Sequence, residues 1–180
     1  YNELSQAIEQ VKITPLSTFK PTTGAFSQEP IFQSTKPQVA MLGGNKSGKT
    51  YCGLIKAGYL LTPEKDIYNK NTGWLMDPYI RKRVPTGRRL MGWISTWATG
   101  TQSTTIQPTF NRVLLDYFKP RIESDIFVHA TGEIADIEFM TQKQNYIAYT
   151  GGNIDYAYLD EPHSEIIYNE TKHRFDITKG

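Results

Sequence analysis

Gly43-Gly44-Asn45-Lys46-Ser47-Gly48-Lys49-Thr50 fits the pattern G-x-x-x-x-G-K-[ST] without departure, and no other stretch of the chain so narrows what it can fold into. The glycines let the backbone double back so that successive N–H groups converge on phosphate oxygens, and a helix beginning near Lys49 adds its positive N-terminal end. In such a loop Lys49 reaches the β- and γ-phosphates of a nucleotide, and the Thr50 hydroxyl binds Mg²⁺. A glycine-rich surface turn could match the same letters, so the flanks decide. Val39-Ala40-Met41-Leu42 is a short apolar run, and Leu54, Ile55, Ala57 and Leu61 recur on one helical face. These flanks predict strand, phosphate loop and helix.

A phosphate loop alone hydrolyses nothing. Ala157-Tyr158-Leu159-Asp160-Glu161 is an apolar strand ending in two carboxylates. In a parallel α/β sheet, ligands gather at the C-terminal strand ends, which would bring this pair beside the loop. Asp160 is then suited to the Mg²⁺ shell and Glu161 to polarising an attacking water, the roles of a Walker B element and its catalytic glutamate. The plainer alternative is a solvated acidic pair that ends the strand and caps the next helix.

The rest of the chain fixes the setting. With 180 residues, 38% of them hydrophobic and 21% charged, it is long enough for one domain with a core; collagen-like, coiled-coil and largely disordered classes are excluded. The net charge of +2 permits nucleic-acid binding without requiring it. Cys52 is the single cysteine, so no internal disulfide and no multi-cysteine zinc site can form, and a reducing compartment is expected. No run approaches the roughly 18 apolar residues of a membrane span, and the first residues lack the pattern of a signal peptide. The start at Tyr1 and the end at Gly180 suggest a fragment, a processed product or an ordered portion of something longer.

Residues 1–38, punctuated by Pro15, Pro21, Pro30 and Pro37, read as a lead-in arm, and 39–180 as the domain proper. Residues 62–89 form an exposed excursion rich in turn formers. Strands are expected at 90–98, 134–141, 145–150 and 154–162, the second and third as a hairpin or edge pair. Helices are expected over 106–118, with Phe110, Val113, Leu114 and Tyr117 in register, and after Pro162. Alternating strands and helices predict an α/β fold with a mainly parallel central sheet.

Weaker candidates surround the two motifs. Gln33 could present both donor and acceptor to an adenine edge or could be a solvated loop residue. Lys46 could lie over the γ-phosphate or face water. Arg81, Lys82, Arg83, Arg88 and Arg89 suit contact with a phosphate backbone and equally suit a solvated loop. Arg112 and Arg121 are candidates for an arginine supplied in trans within a ring, against the default of surface arginines. His129, His163 and His173 have no metal-ligand spacing, and no zinc is assigned.

The chain resembles the N-terminal ATPase domain of large terminase subunits, the DNA-packaging motors of tailed bacteriophages and related viruses. Carrying the resemblance are FQSTKPQVAMLGGNKSGKT (32–50), GLIKAGYLLTPE (53–64), TGGNIDYAYLDEP (150–162) and the spacing of Tyr168, Glu170 and Arg174. It spans about Phe32 to the end. It implies a three-layer P-loop NTPase of RecA-like, ASCE type. ATP would be hydrolysed with Mg²⁺, and Glu161, Lys49 and Lys46 would be catalytic. Gly43, Gly44, Asn45, Lys46, Ser47, Gly48, Lys49, Thr50 and Gln33 would hold the nucleotide, and Thr50 and Asp160 the metal. Implied partners are double-stranded DNA, a portal protein, a small terminase subunit and further copies in a ring, in the host cytoplasm and away from membranes. Pro162 replaces a second Glu common in the family, and the family's nuclease domain has no counterpart before Gly180. Asp160-Glu161-Pro162-His163 also satisfies the D-E-x-H pattern of superfamily 2 helicases, an alternative class of nucleic-acid ATPase.

Overall fold

The computed structural model describes residues 14–23, 27–34, 36, 38–42, 47–62, 89–96, 106–122, 126–130, 135–141 and 146–176. Near its start are two short helices, α1 (Pro15–Thr18) and α2 (Glu29–Gln33). Thr14 caps α1: its hydroxyl accepts from the Ser17 N–H while the Ser17 hydroxyl accepts from the Thr14 N–H, a reciprocal pair that satisfies two of the unbonded donors at the helix start. Helix α3 (Lys49–Leu61) begins within the glycine-rich motif 43–50, β1 is Leu90–Thr96 and α4 is Gln107–Leu114. Then come β2 (Phe118–Pro120), β3 (Ile126–His129), β4 (Ala135–Thr141), a 3-10 turn (Tyr146–Thr150), β5 (Tyr156–Asp160) and α5 (Glu165–Asp176).

The five strands make one mixed sheet in the order β2-β3-β4-β1-β5. β1 runs parallel to both neighbours, pairing Ile94 with Phe139 on one side and with Tyr158 on the other. The β2–β3 and β3–β4 pairs are antiparallel. The protein is therefore α/β, with a parallel half that carries β5 and an antiparallel half at the opposite edge. The expectation of a mainly parallel sheet holds for the first half only: β2, β3 and β4 are joined by connections too short to return a strand in the same direction.

Alternation along the central strands divides the apolar residues between two faces. Ile94, Ile137, Phe139 and Tyr158 join Leu54, Ile55, Phe110 and Leu114 in a large cluster beneath α3 and α4. Trp93 and Met140 point the other way and join Tyr149, Ile154 and Ile167 in a smaller cluster beneath the 3-10 turn and α5. The large cluster also takes Leu16, Phe19 and Phe32 from the segment read as a lead-in arm. Two hydrogen bonds fasten that segment: Tyr59 Oη to the Leu16 carbonyl, and Thr14 Oγ1 with Tyr117 Oη at 2.7 Å.

Three expectations need correction. The strand expected over 145–150 is not formed by its described residues: 146–150 make the 3-10 turn, Tyr149 is fully buried while Ile147 is 58% exposed, and a strand would place these two on one face. The 106–118 helix stops at Leu114, and Phe118 begins β2 instead. Residues 38–42 pair with no described strand, and Val39 and Leu42 are exposed, Leu42 at 96%. Their apolar character is local, whereas a strand requires a neighbouring edge.

Candidate functional site

Helix α3 opens on Gly48, whose φ of 80° lies in the left-handed region that glycine enters without penalty. Its carbonyl accepts from the Cys52 N–H at 2.9 Å, so the first turn is set directly at Gly48. The helix is seated by close approach: a Cβ at Gly53 would run into the Tyr158 ring of β5. Tyr156 Oη adds a hydrogen bond to the Gly53 carbonyl at 3.0 Å. Burial pushes the hydroxyls of Tyr156 and Tyr158 to higher pKa, and the neighbouring Asp160 charge adds to the effect at Tyr158, so both remain donors.

This seating joins the two motifs. Thr50 Oγ1 donates to Asp160 Oδ1 at 3.0 Å, across 110 residues of sequence, and Tyr158 Oη donates to the same oxygen at 2.7 Å. A cleft of about 260 Å³ opens beside this pair, lined by Ser47, Gly48, Lys49, Thr50, Tyr51, Thr109, Arg112 and Glu161. Glu161 is exposed and is the one described non-glycine residue with positive φ, at 67°. That conformation costs a side-chain-bearing residue roughly 1–2 kcal/mol, so the surrounding structure must impose it.

The structure describes part of the residues expected to act together. Ser47, Gly48, Lys49, Thr50 and Glu161 share the cleft, with Asp160 bonded to Thr50 at its wall. Gly43, Gly44, Asn45 and Lys46 lie outside the described residues, as do the Gln33 side chain and Arg81, Lys82, Arg83 and Arg88. The backbone of α2, which carries Gln33, is tied to α3 by Lys56 Nζ donating to the Ile31 carbonyl at 2.7 Å and the Ser34 carbonyl at 3.1 Å. Arg121 stands after β2, at the sheet edge opposite β5.

Sequence reasoning offered Arg112 as a candidate for an arginine supplied in trans, against the default of a surface arginine, and missed its position in the cleft of its own chain. Its guanidinium stacks 5.2 Å from the centroid of the Tyr51 ring, which puts a cation near Lys49 and Glu161. Helical phase was the available signal: Phe110, Val113 and Leu114 face the core, which turns Arg112 outward on the side of α4 that borders α3. Tyr168 and Glu170–Arg174, part of the terminase-like spacing, make other contacts. Tyr168 Oη donates to Gln38 Oε1 at 2.9 Å, while Arg174 and Glu170 form an i,i+4 pair at 3.2 Å.

For a hard divalent cation the donor set fits, since a hydroxyl and a carboxylate oxygen already stand within one hydrogen bond of each other. Among the described residues no group of three or more His, Cys, Asp or Glu side chains could hold an ion, which is no obstacle for Mg²⁺, because it is usually held by one or two protein oxygens plus water and phosphates. No described helix is long and apolar enough to cross a membrane. The class defined so far is an α/β protein with a polar cleft where a glycine-led helix meets the end of a parallel strand. Comparison with protein-family models, curated proteins and solved structures finds no match to the chain.

Proposed function

We propose that the chain is a P-loop ATPase domain of three-layer type, and that it serves as the motor of a large terminase subunit that drives double-stranded DNA into a viral procapsid. The observation that carries the nucleotide reading is the Thr50–Asp160 hydrogen bond, with Lys49 and Glu161 on the cleft beside it. The packaging reading rests on the motif resemblance around 32–64 and 150–174.

Lys49 would neutralise charge on the β- and γ-phosphates, and the N-terminal turn of α3 would add its N–H groups. Thr50 and Asp160 would hold Mg²⁺, which when bound supplies charge neutralisation at the phosphates. Glu161 would orient a water for in-line attack on the γ-phosphate and accept its proton. Arg112, already in the cleft, would meet charge developing on the transferred group from within the chain, an arrangement that does not require an arginine from a neighbour. Lys46 would assist from the loop. Double-stranded DNA, a portal protein and a small terminase subunit are the proposed partners, with the motor acting as a ring in the host cytoplasm.

The test is ATP turnover by the parent protein, with and without double-stranded DNA and portal, beside Lys49→Ala. Turnover raised by those partners and lost in the variant is the expected outcome. Strand separation that is independent of the portal would favour the helicase class, and partner-independent turnover would remove the packaging assignment.

A further inference from the structure

Beyond the cleft, a polar chain runs from the buried small-cluster face of the sheet out to the exposed turn that carries Glu161. Tyr149 Oη lies 2.6 Å from Ser95 Oγ, Ser95 Oγ lies 2.7 Å from His163 Nε2, and His163 Nδ1 lies 2.9 Å from the Glu161 carbonyl oxygen. Tyr149 and Ser95 are fully buried, Tyr149 edge-on to Trp93 with ring centroids 5.7 Å apart.

Hydrogen-bond chemistry gives the chain one direction. A carbonyl oxygen only accepts, so His163 Nδ1 carries a proton. In the neutral ring Nε2 is then an acceptor, Ser95 donates to it, and Ser95 accepts from Tyr149. Each hydroxyl proton has a partner in this order. A doubly protonated ring would reverse the Ser95 bond, and since only one proton can lie between Ser95 and Tyr149, one of the two hydroxyl protons would then have no partner within this chain. Burial of the ring lowers the His163 pKa, in agreement with the neutral form, although the Glu161 carbonyl and the Asp160 charge pull the other way.

The destination of the chain gives it meaning. Nothing intrinsic to a glutamate favours a φ of 67°. Asp160, one residue earlier, is held in the sheet by its pairing with Thr96, and Pro162, one residue later, has no N–H with which to brace the turn. The His163 ring is the side chain that grips the intervening carbonyl.

We propose that His163 is a positioning residue. Oriented by the Tyr149–Ser95 pair, it holds the Glu161 main chain in the left-handed conformation from which the carboxylate reaches the cleft. This inference rests on the reading of Glu161 as the base of an ATP hydrolase, and it adds a residue that the acidic pair alone does not reveal.

The experiment compares the parent protein with His163→Leu, His163→Asn, Ser95→Ala and Lys49→Ala, measuring kcat for ATP and, separately, the affinity for a fluorescent ATP analogue. Because misplacement of a reacting group by about 1 Å can lower a rate by about 100-fold, His163→Leu is expected to reduce kcat by at least 10-fold with affinity unchanged within about twofold. His163→Asn, whose amide N–H can replace Nδ1–H, is expected to recover much of the loss, and Ser95→Ala to fall between the two. A purely structural role would give no rescue by Asn. If the parent turns over ATP and His163→Leu matches it, the hydrolase reading stands and this inference is overturned. If the parent neither binds the analogue nor exceeds Lys49→Ala in turnover, the hydrolase reading fails and takes the inference with it. Ring ¹⁵N shifts of His163 in the parent give a readout independent of turnover and of variant folding. The Nδ1–H tautomer is expected, and the Nε2–H tautomer would overturn the proposal.

Discussion

The two faces of the sheet are built differently. Beneath α3 and α4 the packing is apolar and aromatic: Phe110, Phe127 and Phe139 meet edge to face with centroids 4.7 to 5.3 Å apart, in one cluster with Leu54, Ile55 and Leu114. Beneath α5 the cluster is small and carries a polar seam, in which Ser95 and Tyr149 pair and Trp93 Nε1 donates to Glu138 Oε2 at 3.1 Å. Close-packed apolar contact is strong and tolerant of direction, so it suits the seating of a whole helix; hydrogen bonds are directional and suit the aiming of one turn. The first face fixes α3 and with it Lys49 and Thr50. The second face aims the turn after β5 and with it Glu161.

Substitutions can break this division, and the largest effect is expected at the helix start. Lys49→Ala should lower ATP turnover by at least about 100-fold, the scale of losing one preorganised charge-stabilising donor, without a matching loss of thermal stability. Next comes the apolar face: Phe110→Ala should cost about 3–5 kcal/mol in denaturant unfolding, because a fully buried ring leaves a cavity that its aromatic neighbours cannot fill. Gly53→Ala should cost about 1–3 kcal/mol by pressing on Tyr158, and it should weaken nucleotide affinity by shifting Thr50 away from Asp160. On the seamed face, the lowered pKa of His163 means that the unfolded chain takes up this proton first as pH falls. Its contribution to stability is therefore fully present above the unfolded value of 6.5 and is lost below it. Unfolding midpoints between pH 7 and 5 should fall less steeply in His163→Asn than in the parent. Smallest is Asp136→Asn, which removes the 2.6 Å ion pair with half-exposed Arg89 and should change stability by less than about 1 kcal/mol.

What was legible in the sequence follows the same division. Helix α3 and strand β5 could be read because Leu54, Ile55 and Leu61 repeat at helical spacing and the apolar run 157–159 ends abruptly in Asp160 and Glu161. The meeting of Thr50 with Asp160 was expected from the motifs, and it depends on a pairing of β1 with β5 that no local pattern encodes. The 3-10 turn is hidden from composition because Tyr146, Ile147 and Tyr149 are strand-like residue types, while burial takes Tyr149 and leaves Ile147 exposed. Arg112 and His163 were visible as residues and opaque as neighbours. One needs the packing of α4 on α3, the other the register that sets Ser95 at the end of β1.

The central claim is that Glu161 is the base of an ATP hydrolase whose other residues only hold and charge-balance the nucleotide. Glu161→Gln tests it most directly, with single-turnover ATP hydrolysis and nucleotide affinity measured on the same protein. Affinity within about twofold of the parent and hydrolysis slower by about 100- to 10,000-fold is the predicted result, the range for loss of a general base. Hydrolysis as fast as the parent's would contradict it.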